Sequence, residues 1–405
     1  MEDIINLLKY ILLTLQLVFS LYLLTPFLFY IIFIVRKKLR FLDRISRMPI
    51  LIKDDFKFNV IITAHQETDF IPPLLDSLQK QSYQNFQVYV VADDMPASIN
   101  FDSERVITLH PPIPLHSKIN SIAYAMDRIG NKQEVVLILD ADNLLHPDFL
   151  SVMNTYFQKG YQVVQADFKS KNSDTPIALM DSVGDMYNFF VDREMRMELG
   201  LSSAIWGAGI AFQRRLYDGI SYMDKLGGFD KKLQMHLASG VDRIAFAKEA
   251  VLYDEKIVDA AALQRQRTRW ISAQLKYTKQ NLGFLFNAIL RFDVNSIYFG
   301  FCNVRPPLFI TLVMAIVLAV INLWIMPWMS VFWMLAVIVF AIGFILIVRL
   351  KTREDRYLKA LKSLPQFLFA QVLASLQTGK AKRSFMKTTH HHVVYIDDIL
   401  NKHGN

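Results

Sequence analysis

Two carboxylates, Asp140 and Asp142, follow the apolar run EVVLIL at residues 134–139. A short apolar run of this kind is typical of a strand that is buried on both faces of a sheet. Paired carboxylates at its end offer hard oxygen ligands, which suit Mg²⁺ or Mn²⁺ held between protein and phosphate oxygens. The same two acids would also fit a solvated surface turn, so the surrounding sequence decides between a metal site and a turn.

Polar residues also follow two other apolar runs in this part of the chain. TAHQE (63–67) ends a run that begins at residue 58, and ADD (92–94) ends a run that begins at residue 86. Helical patterns near 70–81 and 117–129 separate the runs, which predicts an α/β domain with a mostly parallel sheet. Because ligands bind beyond the carboxyl ends of the strands in such sheets, the three polar clusters predict one site.

Three apolar stretches outside this domain predict transmembrane helices. Of the 405 residues 53% are hydrophobic and the mean hydropathy is +0.24, values above those of ordinary soluble domains. The stretches are Leu7–Val35, Pro307–Ile325 and Val331–Val348. Basic segments follow the first and the third stretch, at 36–47 and 349–359. Since basic flanks stay on the cytoplasmic side, we expect a multi-pass protein of the cell membrane whose segment 36–304 is cytoplasmic.

The net charge of +8 fits contact with anionic membrane lipids better than contact with nucleic acid. No basic helix with groove-reading spacing is present in the sequence, so we expect no nucleic-acid partner. The single cysteine, Cys302, cannot form an internal disulfide, which suits a cytosol-facing domain.

Five motifs in order resemble the family 2 inverting glycosyltransferases of GT-A fold, in particular membrane-embedded members such as cellulose and hyaluronan synthases. The motifs are VIITAHQE (60–67), VVADD (90–94), SKINSIAYAM (117–126), LDAD (139–142) and QRTRW (266–270). A single D-x-D is common by chance, whereas five motifs in this order are specific. The resemblance implies a GT-A nucleotide-diphospho-sugar transferase domain inserted between transmembrane helices.

The resemblance also assigns a donor site to residues of the first four motifs. The residues assigned to nucleotide-sugar binding are Thr63, Ala64, His65, Glu67, Asp93, Lys118 and Asp140. Asp142, together with Asp140, would hold Mg²⁺ or Mn²⁺ against the diphosphate. Two plainer readings stay open from the residues alone: His65 as a hydrogen-bonded loop histidine, and Lys118 as a solvated lysine at a helix start.

Inverting transfer requires a general base, and the resemblance places it at Asp230. In the family this aspartate follows a second acid, but Phe229 stands there in GGFDKK (227–232). Asp230 is also expected to start a helix, where a carboxylate is favourable for structural reasons alone. Asp224 and Asp242 are the alternatives for the base, although neither matches the motif.

The acceptor side of the site is implied by two further segments. The residues assigned to the acceptor and the diphosphate are Gln266, Arg269, Trp270, Trp206 and Gly207. A charged guanidinium suits diphosphate oxygens, and an indole ring suits a sugar face. The basic run RQRTR at 265–269 would alternatively anchor the chain to anionic lipid, and Trp206 would alternatively be a core residue.

These observations divide the chain into five parts. They are a transmembrane helix (1–36), a cytosolic GT-A domain (50–280), an interfacial helix (281–304), a transmembrane hairpin (305–350) and a cytosolic or interfacial C-terminal segment (351–405). The segment 355–377 is amphipathic and is interrupted by Pro365, which predicts interfacial amphipathic helices. The three histidines His390–His392 carry no assigned role.

The sequence therefore predicts a metal-dependent inverting hexosyltransferase of polysaccharide biosynthesis, using a nucleotide-diphospho-sugar, with UDP-sugars as the first expectation. The acceptor would be a growing polysaccharide or a lipid-linked saccharide, and a homo-oligomer or an export partner would be needed for translocation. The lost acid at Phe229 motivates a second hypothesis, a catalytically impaired relative that serves as a scaffold in a polysaccharide export complex. The sugar and its linkage are not encoded in any recognisable residue.

Overall fold

The computed structural model describes most of the chain. It covers residues 2–39, 55–66, 68–132, 134–222, 227–364, 367, 369, 371–373 and 393–403. Several residues considered above, Glu67, Asp224, Pro365 and the histidines at 390–392, lie outside these residues.

Eight strands form one sheet at the centre of the α/β domain. The strands are β1 (Phe58–His65), β2 (Phe86–Asp93), β3 (Val106–Leu109), β4 (Val135–Asp140), β5 (Leu144–Leu145), β6 (Val163–Ser170), β7 (Ile210–Gln213) and β8 (Ala245–Asp254). Their order across the sheet is β3-β2-β1-β4-β7-β6-β8-β5. The predicted runs at 58–65, 86–94 and 134–142 thus become three adjacent strands.

The strands β3, β2, β1 and β4 are all parallel. In this register His65 lies opposite Asp93, and Thr63 lies opposite Asp140. The polar ends of β1, β2 and β4 therefore meet at one edge of the sheet, as the sequence predicts.

The other half of the sheet is mixed, which modifies the prediction of a mostly parallel sheet. The short strand β7 runs antiparallel to both of its neighbours, β4 and β6. Strand β8 is parallel to β6 and antiparallel to β5. Four residues flanked by glycine and arginine carry too little periodicity to be recognised as a central strand.

Helices cover both faces of the sheet and extend beyond it. The helices are α1 (Glu2–Lys38), α2 (Ile71–Gln79), α3 (Lys118–Met126), α4 (Phe149–Gln158), α5 (Pro176–Phe189), α6 (Met195–Glu198), α7 (Phe229–Gly240), α8 (Ala260–Leu290), α9 (Val294–Val304), α10 (Leu308–Ile325), α11 (Pro327–Lys351), α12 (Asp355–Ala360) and α13 (Ile396–His403). One core lies between the sheet and α2 with α4, and the other lies between the sheet and α3 with α7. Burial of these apolar side chains fixes the positions of the strand ends.

Three helices, α1, α10 and α11, are long and apolar enough to cross a membrane. Each contains one of the predicted transmembrane stretches. The three pack together, and at Gly343 of α11 an added Cβ atom would lie 2.8 Å from the Phe27 ring of α1. Phe190 and Met195 belong to the same apolar cluster, so the bundle is packed directly against the α/β domain.

The segment 281–304, predicted as one interfacial helix, consists of two elements. Residues up to Leu290 continue the 31-residue helix α8, and α9 follows after a turn at Phe292, whose φ is +53°. Leu282, Phe286 and Ile289 lie exposed on α8. Their spacing places an apolar stripe on one side of this helix.

Candidate active site

A cavity of about 930 Å³ opens at the sheet edge where β1, β2 and β4 end. Every described residue that the resemblance assigned to the site lines it, whereas Asp242, an alternative for the base, does not. These residues are Thr63, Ala64, His65, Asp93, Lys118, Asp140, Asp142, Trp206, Gly207, Asp230, Gln266, Arg269 and Trp270. Residues from positions 63 to 270 thus converge on one space.

Asp93 at the end of β2 is buried, and its carboxylate is occupied by protein groups. Its oxygens accept hydrogen bonds from the backbone N–H groups of Leu115 (2.6 Å) and His116 (2.9 Å). Nδ1 of His65 lies 3.0 Å from the same carboxylate. Asp93 therefore fixes the loop that precedes α3, and the contact with the nucleobase that the resemblance implies stays a prediction. His65 is hydrogen-bonded, as its plainer reading predicted, and it also lines the cavity.

A small group of possible metal ligands lies beside Asp93. Ligand atoms of His65, Asp94 and His116 lie within 4.8 Å of one another. Asp94 and His116 have positive φ values of 55° and 45°, a backbone conformation that costs energy in residues other than glycine. Sequence analysis did not predict that His116 lies in this group, because the position of His116 depends on the loop that Asp93 holds.

Lys118 begins α3, immediately after Ser117, whose side chain caps the helix. Its ammonium group donates hydrogen bonds to Asp140 and to the carbonyl oxygen of Gly207, the latter at 2.8 Å. Lys118 thus joins the end of β4 to the glycine loop before β7. It is a component of the site and not a solvated lysine.

The two acids of the D-x-D pair have different surroundings. The Asp140 side chain is 40% exposed and shares a salt bridge with Lys118. Asp142 is 6% exposed, and its backbone carbonyl accepts a hydrogen bond from Lys171. Burial lowers the pKa of Lys171, although the Asp142 carboxylate raises it. Two carboxylates on the wall of one cavity fit a hard divalent cation by ligand type.

Asp230 lies in the first turn of α7, where the sequence placed it. The preceding Gly228 has a φ of +70°, and a Cβ atom there would lie 2.7 Å from the Tyr277 ring. The Asp230 side chain is 26% exposed and lies 3.4 Å from Nζ of Lys231. Burial lowers the pKa of Arg269, while the charges of Asp140 and Asp230 oppose that shift. The guanidinium therefore lies within electrostatic reach of both carboxylates.

Two tryptophans form an aromatic wall beside Asp230. The ring centroids of Trp206 and Trp270 are 5.2 Å apart, with the rings nearly perpendicular. Arg267 lies over the Trp270 ring at 4.4 Å and forms a salt bridge with Asp181. Trp206 thus faces the cavity and does not belong to the interior of the sheet.

A network of buried charges, which the sequence did not indicate, supports this wall. Nζ of Lys256 lies 2.6 Å from Asp185 and 3.1 Å from Asp254. Burial raises the pKa of Asp254, and the nearby Asp142 raises it further, while Lys256 lowers it. No local pattern marks these residues, because they meet only when β8 and α5 pack together.

Comparison with known proteins assigns the family. The family model described as "Glycosyltransferase like family 2" matches residues 56–273, more than half of the chain. The chain belongs to this glycosyltransferase family. A search of curated proteins finds no match.

Similarity to the solved structure of PcManGT supports the fold of the glycosyltransferase. The mannosyltransferase PcManGT from Pyrobaculum calidifontis, in complex with GDP-Man and Mn²⁺, superposes with a TM-score of 0.51 at 13% identity and covers 90% of this chain and 99% of its own. S. aureus TarS 1–349 gives a TM-score of 0.41 at 13% identity, covering 82% and 93%. Its complex with UDP-GlcNAc gives 0.38 at 14% identity, covering 81% and 91%. The family match and the PcManGT superposition together show a mixed α/β fold of GT-A type, flanked by three long apolar helices.

Proposed function

We propose that this glycosyltransferase is a membrane-bound inverting enzyme that transfers a sugar from a nucleotide-diphospho-sugar to a hydroxyl acceptor. The observation that carries the proposal is the convergence of Asp140, Asp230 and Arg269 on one cavity. This set combines a metal-binding carboxylate, a candidate general base and a cation for the diphosphate.

The donor would lie along the edge of the parallel strands. Thr63, Ala64 and His65 line the nucleoside end. The loop before α3 is held beside them by its backbone hydrogen bonds to Asp93. Lys118 and Arg269 provide positive charge for the diphosphate. PcManGT was solved with GDP-Man and a TarS fragment with UDP-GlcNAc, so both nucleotide types belong in a donor panel, with UDP-sugars first.

Asp140 and Asp142 would hold the divalent cation, Mg²⁺ or Mn²⁺. When bound, such an ion supplies positive charge to the departing diphosphate. Lys118 already donates a hydrogen bond to Asp140. The positive charge of Lys118 therefore already lies at this carboxylate, and the hydrogen bond orients Asp140 at the cavity wall.

Asp230 would act as the general base. One of its carboxylate oxygens would take the proton of the acceptor hydroxyl. The hydroxyl oxygen would at the same time attack the anomeric carbon from the face opposite the leaving diphosphate. Trp206 and Trp270 would hold the acceptor sugar beside Asp230 through ring contacts, and Gln266 also lines the cavity there.

The basic segments 36–47 and 349–359 favour an orientation in which the catalytic domain faces the cytoplasm at the cell membrane. The exposed apolar stripe on α8 would lie in the headgroup region of the same membrane.

Phe229 supports one other candidate function, a scaffold that binds nucleotide without turning it over. Phe229 is 5% exposed and packs in the apolar core between the sheet and α7. It thus contributes to packing at the position where the family's second acid would contribute charge.

The deciding experiment supplies the purified full chain with a panel of nucleotide sugars and Mg²⁺ or Mn²⁺, and measures released nucleotide diphosphate. We expect Asp230→Asn to reduce release by about two to four orders of magnitude while the affinity for the nucleotide diphosphate changes little. Asp242→Asn is the matched control, because Asp242 is exposed and does not line the cavity. Turnover of Asp230→Asn at the wild-type rate would exclude this base, and nucleotide binding without release would favour the scaffold.

A further inference from the structure

The cavity that contains the D-x-D pair does not end at the acceptor side. It continues past Trp206 to the two helices α10 and α11. There its walls are apolar; we call this part the apolar groove, and its residues are Leu312, Ile316, Val337, Phe340 and Phe344. Because α10 and α11 are long and apolar enough to cross a membrane, the groove connects the sugar site with the lipid region.

An arginine cluster, Arg193, Arg196 and Arg305, lines the cavity between the sugar site and the groove. Asp192 forms salt bridges with Arg196 and Arg305, the latter at 2.9 Å. Asp192 thus pairs with two of the three guanidinium groups, whereas Arg193 feels the charges of Asp192, Asp185 and Asp167 but forms no salt bridge among the described residues. The other acids nearby have partners of their own, since Asp185 pairs with Lys256 and Glu194 pairs with Lys351.

The hydrogen-bonding capacity of the cluster is incompletely used. Arg193 is 3% exposed, and the only hydrogen bond shown for it in the described part of the chain is a long one, 3.4 Å, to the carbonyl oxygen of Asn188. Among the described residues, Nε of Arg193 and both Nε and Nη1 of Arg196 have no hydrogen-bond partner. Burial lowers the pKa of Arg193 to about 10, so its guanidinium remains charged at neutral pH. A buried cation without sufficient partners is costly, and an anion at this place would remove the cost.

The backbone at the cluster is unusual as well. Residues Phe190–Glu194 form a π-helical turn between α5 and α6. Single π-helical turns are rare, and they often occur at functional sites. This turn directs Asp192 and Arg193 toward the cavity, and the guanidinium of Arg193 lies 5.0 Å from the Trp206 ring.

We infer that the acceptor is a lipid-linked saccharide with a phosphate between sugar and lipid. Its apolar chain would occupy the groove between α10 and α11, and its phosphate would bind Arg193 and Arg196. Its sugar would lie against the Trp206 and Trp270 wall. The inference rests on the proposed function and specifies its acceptor.

The transfer balances with these groups. The acceptor hydroxyl oxygen forms a bond to the anomeric carbon of the donor, and the bond from that carbon to the diphosphate oxygen breaks. The hydroxyl proton passes to Asp230, and the nucleotide diphosphate leaves with the bonding electron pair. The phosphate of the acceptor does not react; it anchors the lipid.

An uncharged polysaccharide fits this path less well. Carbohydrate chains are bound by polar and aromatic groups, whereas the walls beyond the arginine cluster carry aliphatic and phenylalanine side chains. Such a polymer also carries no negative charge for Arg193 and Arg196. The order of surfaces along the cavity, from carboxylates through indoles and arginines to apolar helices, matches a sugar, a phosphate and a lipid chain.

Native mass spectrometry of the full chain in neutral detergent tests the inference. The probes are a long-chain prenyl monophosphate, the corresponding prenyl alcohol, and inorganic phosphate. We expect the prenyl monophosphate to bind about tenfold more tightly than either of the other two, because it alone satisfies both groove and arginines. Equal binding of the alcohol, or binding of inorganic phosphate alone, would overturn the lipid-phosphate assignment.

Variants test the arginine cluster and the apolar groove separately. Arg193→Gln should weaken binding of the prenyl monophosphate about tenfold, and Arg193→Lys should restore part of it. Arg291→Gln is the matched control, because Arg291 is exposed and outside the cavity. Unchanged binding by Arg193→Gln would overturn the inference.

Because Arg193 is buried, a change there can impair folding, so the groove is tested separately. Ala341 lies next to Phe340 on α11 and also lines the cavity. Ala341→Trp should block the groove and abolish binding of the prenyl monophosphate, while binding of UDP or GDP stays unchanged. Ile342→Trp, the neighbouring change on α11 at an exposed position that does not line the cavity, should leave both unchanged. Retention of lipid binding by Ala341→Trp would exclude the groove.

The two proposals fail in different ways. Failure to bind or release any nucleotide diphosphate would refute the proposed function, whatever the lipid result. Binding and release of nucleotide without selective binding of the prenyl monophosphate would refute the acceptor inference alone.

Discussion

The ammonium group of Lys118 lies 5.1 Å from the centroid of the Phe229 ring. The same ammonium donates hydrogen bonds to Asp140 and Gly207. At the position where the resemblance implies a second acid, this chain thus presents an aromatic ring to Lys118. No carboxylate at this position competes with Asp140 for the positive charge of Lys118. The neighbouring Asp230 is then the acid that this end of α7 offers to the cavity.

Restoring an acid at this position should harm the protein. Phe229→Glu would place a carboxylate in the apolar core between the sheet and α7, where Phe229 is 5% exposed. We expect a loss of about 3 kcal/mol or more in unfolding free energy, because the packing of the ring is lost and the new buried carboxylate would have to share Lys118 with Asp140. Thermal unfolding of the purified protein measures the effect as a lower Tm.

Phe229→Met is the matched control, because it keeps much of the volume and adds no charge. It should cost less than about 1.5 kcal/mol. A Phe229→Glu protein with unchanged Tm and higher activity would show that the ring is a defect of the site and not part of its packing.

The salt bridge between Lys118 and Asp140 predicts an effect on metal binding. Lys118→Gln removes a positive charge next to a proposed ligand, so Mn²⁺ should bind the donor-free protein about fivefold more tightly. Electron paramagnetic resonance of free Mn²⁺ measures this without turnover. Asp142→Asn should weaken Mn²⁺ binding instead. Equal affinities for Mn²⁺ in wild type, Lys118→Gln and Asp142→Asn would show that Asp140 and Asp142 do not bind the metal.

Most of the donor side of the site follows from the sequence, and the reason is physical. The strands β1, β2 and β4 are continuous apolar runs, and parallel neighbours bring their polar ends to one edge. Asp140, Asp93 and Thr63 could therefore be placed together without a structure. The hydrogen bonds that Asp93 accepts could not be foreseen, because they come from two backbone N–H groups of the loop before α3.

The path to the membrane helices was not predictable in the same way. Asp192 and Arg305 are 113 residues apart and meet only through packing of the bundle on the α/β domain. The run DREMR (192–196) does place an acid and an arginine four residues apart on a helical segment, which is the one local signal. Strand β7 was also missed, because four residues carry too short a pattern.

The pH dependence of stability should contain a contribution from Asp167 on β6. Burial raises the pKa of Asp167 from 3.8 to about 6, although Lys351 lowers it. The folded protein thus binds this proton more tightly than the unfolded chain does, so the contribution destabilises as the pH rises from about 4 to about 6 and then levels off. The difference amounts to at most about 3 kcal/mol.

Asp167→Asn should remove this contribution. Compared with wild type, the variant should therefore gain more in Tm at pH 7 than at pH 4.5. The measurement is the Tm at both pH values for wild type, Asp167→Asn and the exposed control Asp242→Asn. If Asp167→Asn lowered the Tm at pH 7, the carboxylate would be stabilised by Lys351 more than burial opposes it.

A polar network inside the helix bundle gives the last prediction. Oε1 of Gln16 on α1 accepts hydrogen bonds from Nδ2 of Asn322 on α10 and from Nε1 of Trp333 on α11, both at 2.8 Å. All three residues are buried, so one glutamine ties the three long apolar helices together. Hydrogen bonds between such helices contribute about 0.6 to 2 kcal/mol each.

Gln16→Leu should therefore lower the Tm in detergent, because two buried donors lose their shared acceptor. Gln16→Leu combined with Asn322→Leu should recover part of the loss, since the second change removes one of the stranded donors. Leu17→Ile is the control, because Leu17 is 60% exposed on the outer face of α1. A Gln16→Leu protein that is as stable as wild type would mean that apolar packing, including the Gly343 contact with Phe27, holds the bundle without this network.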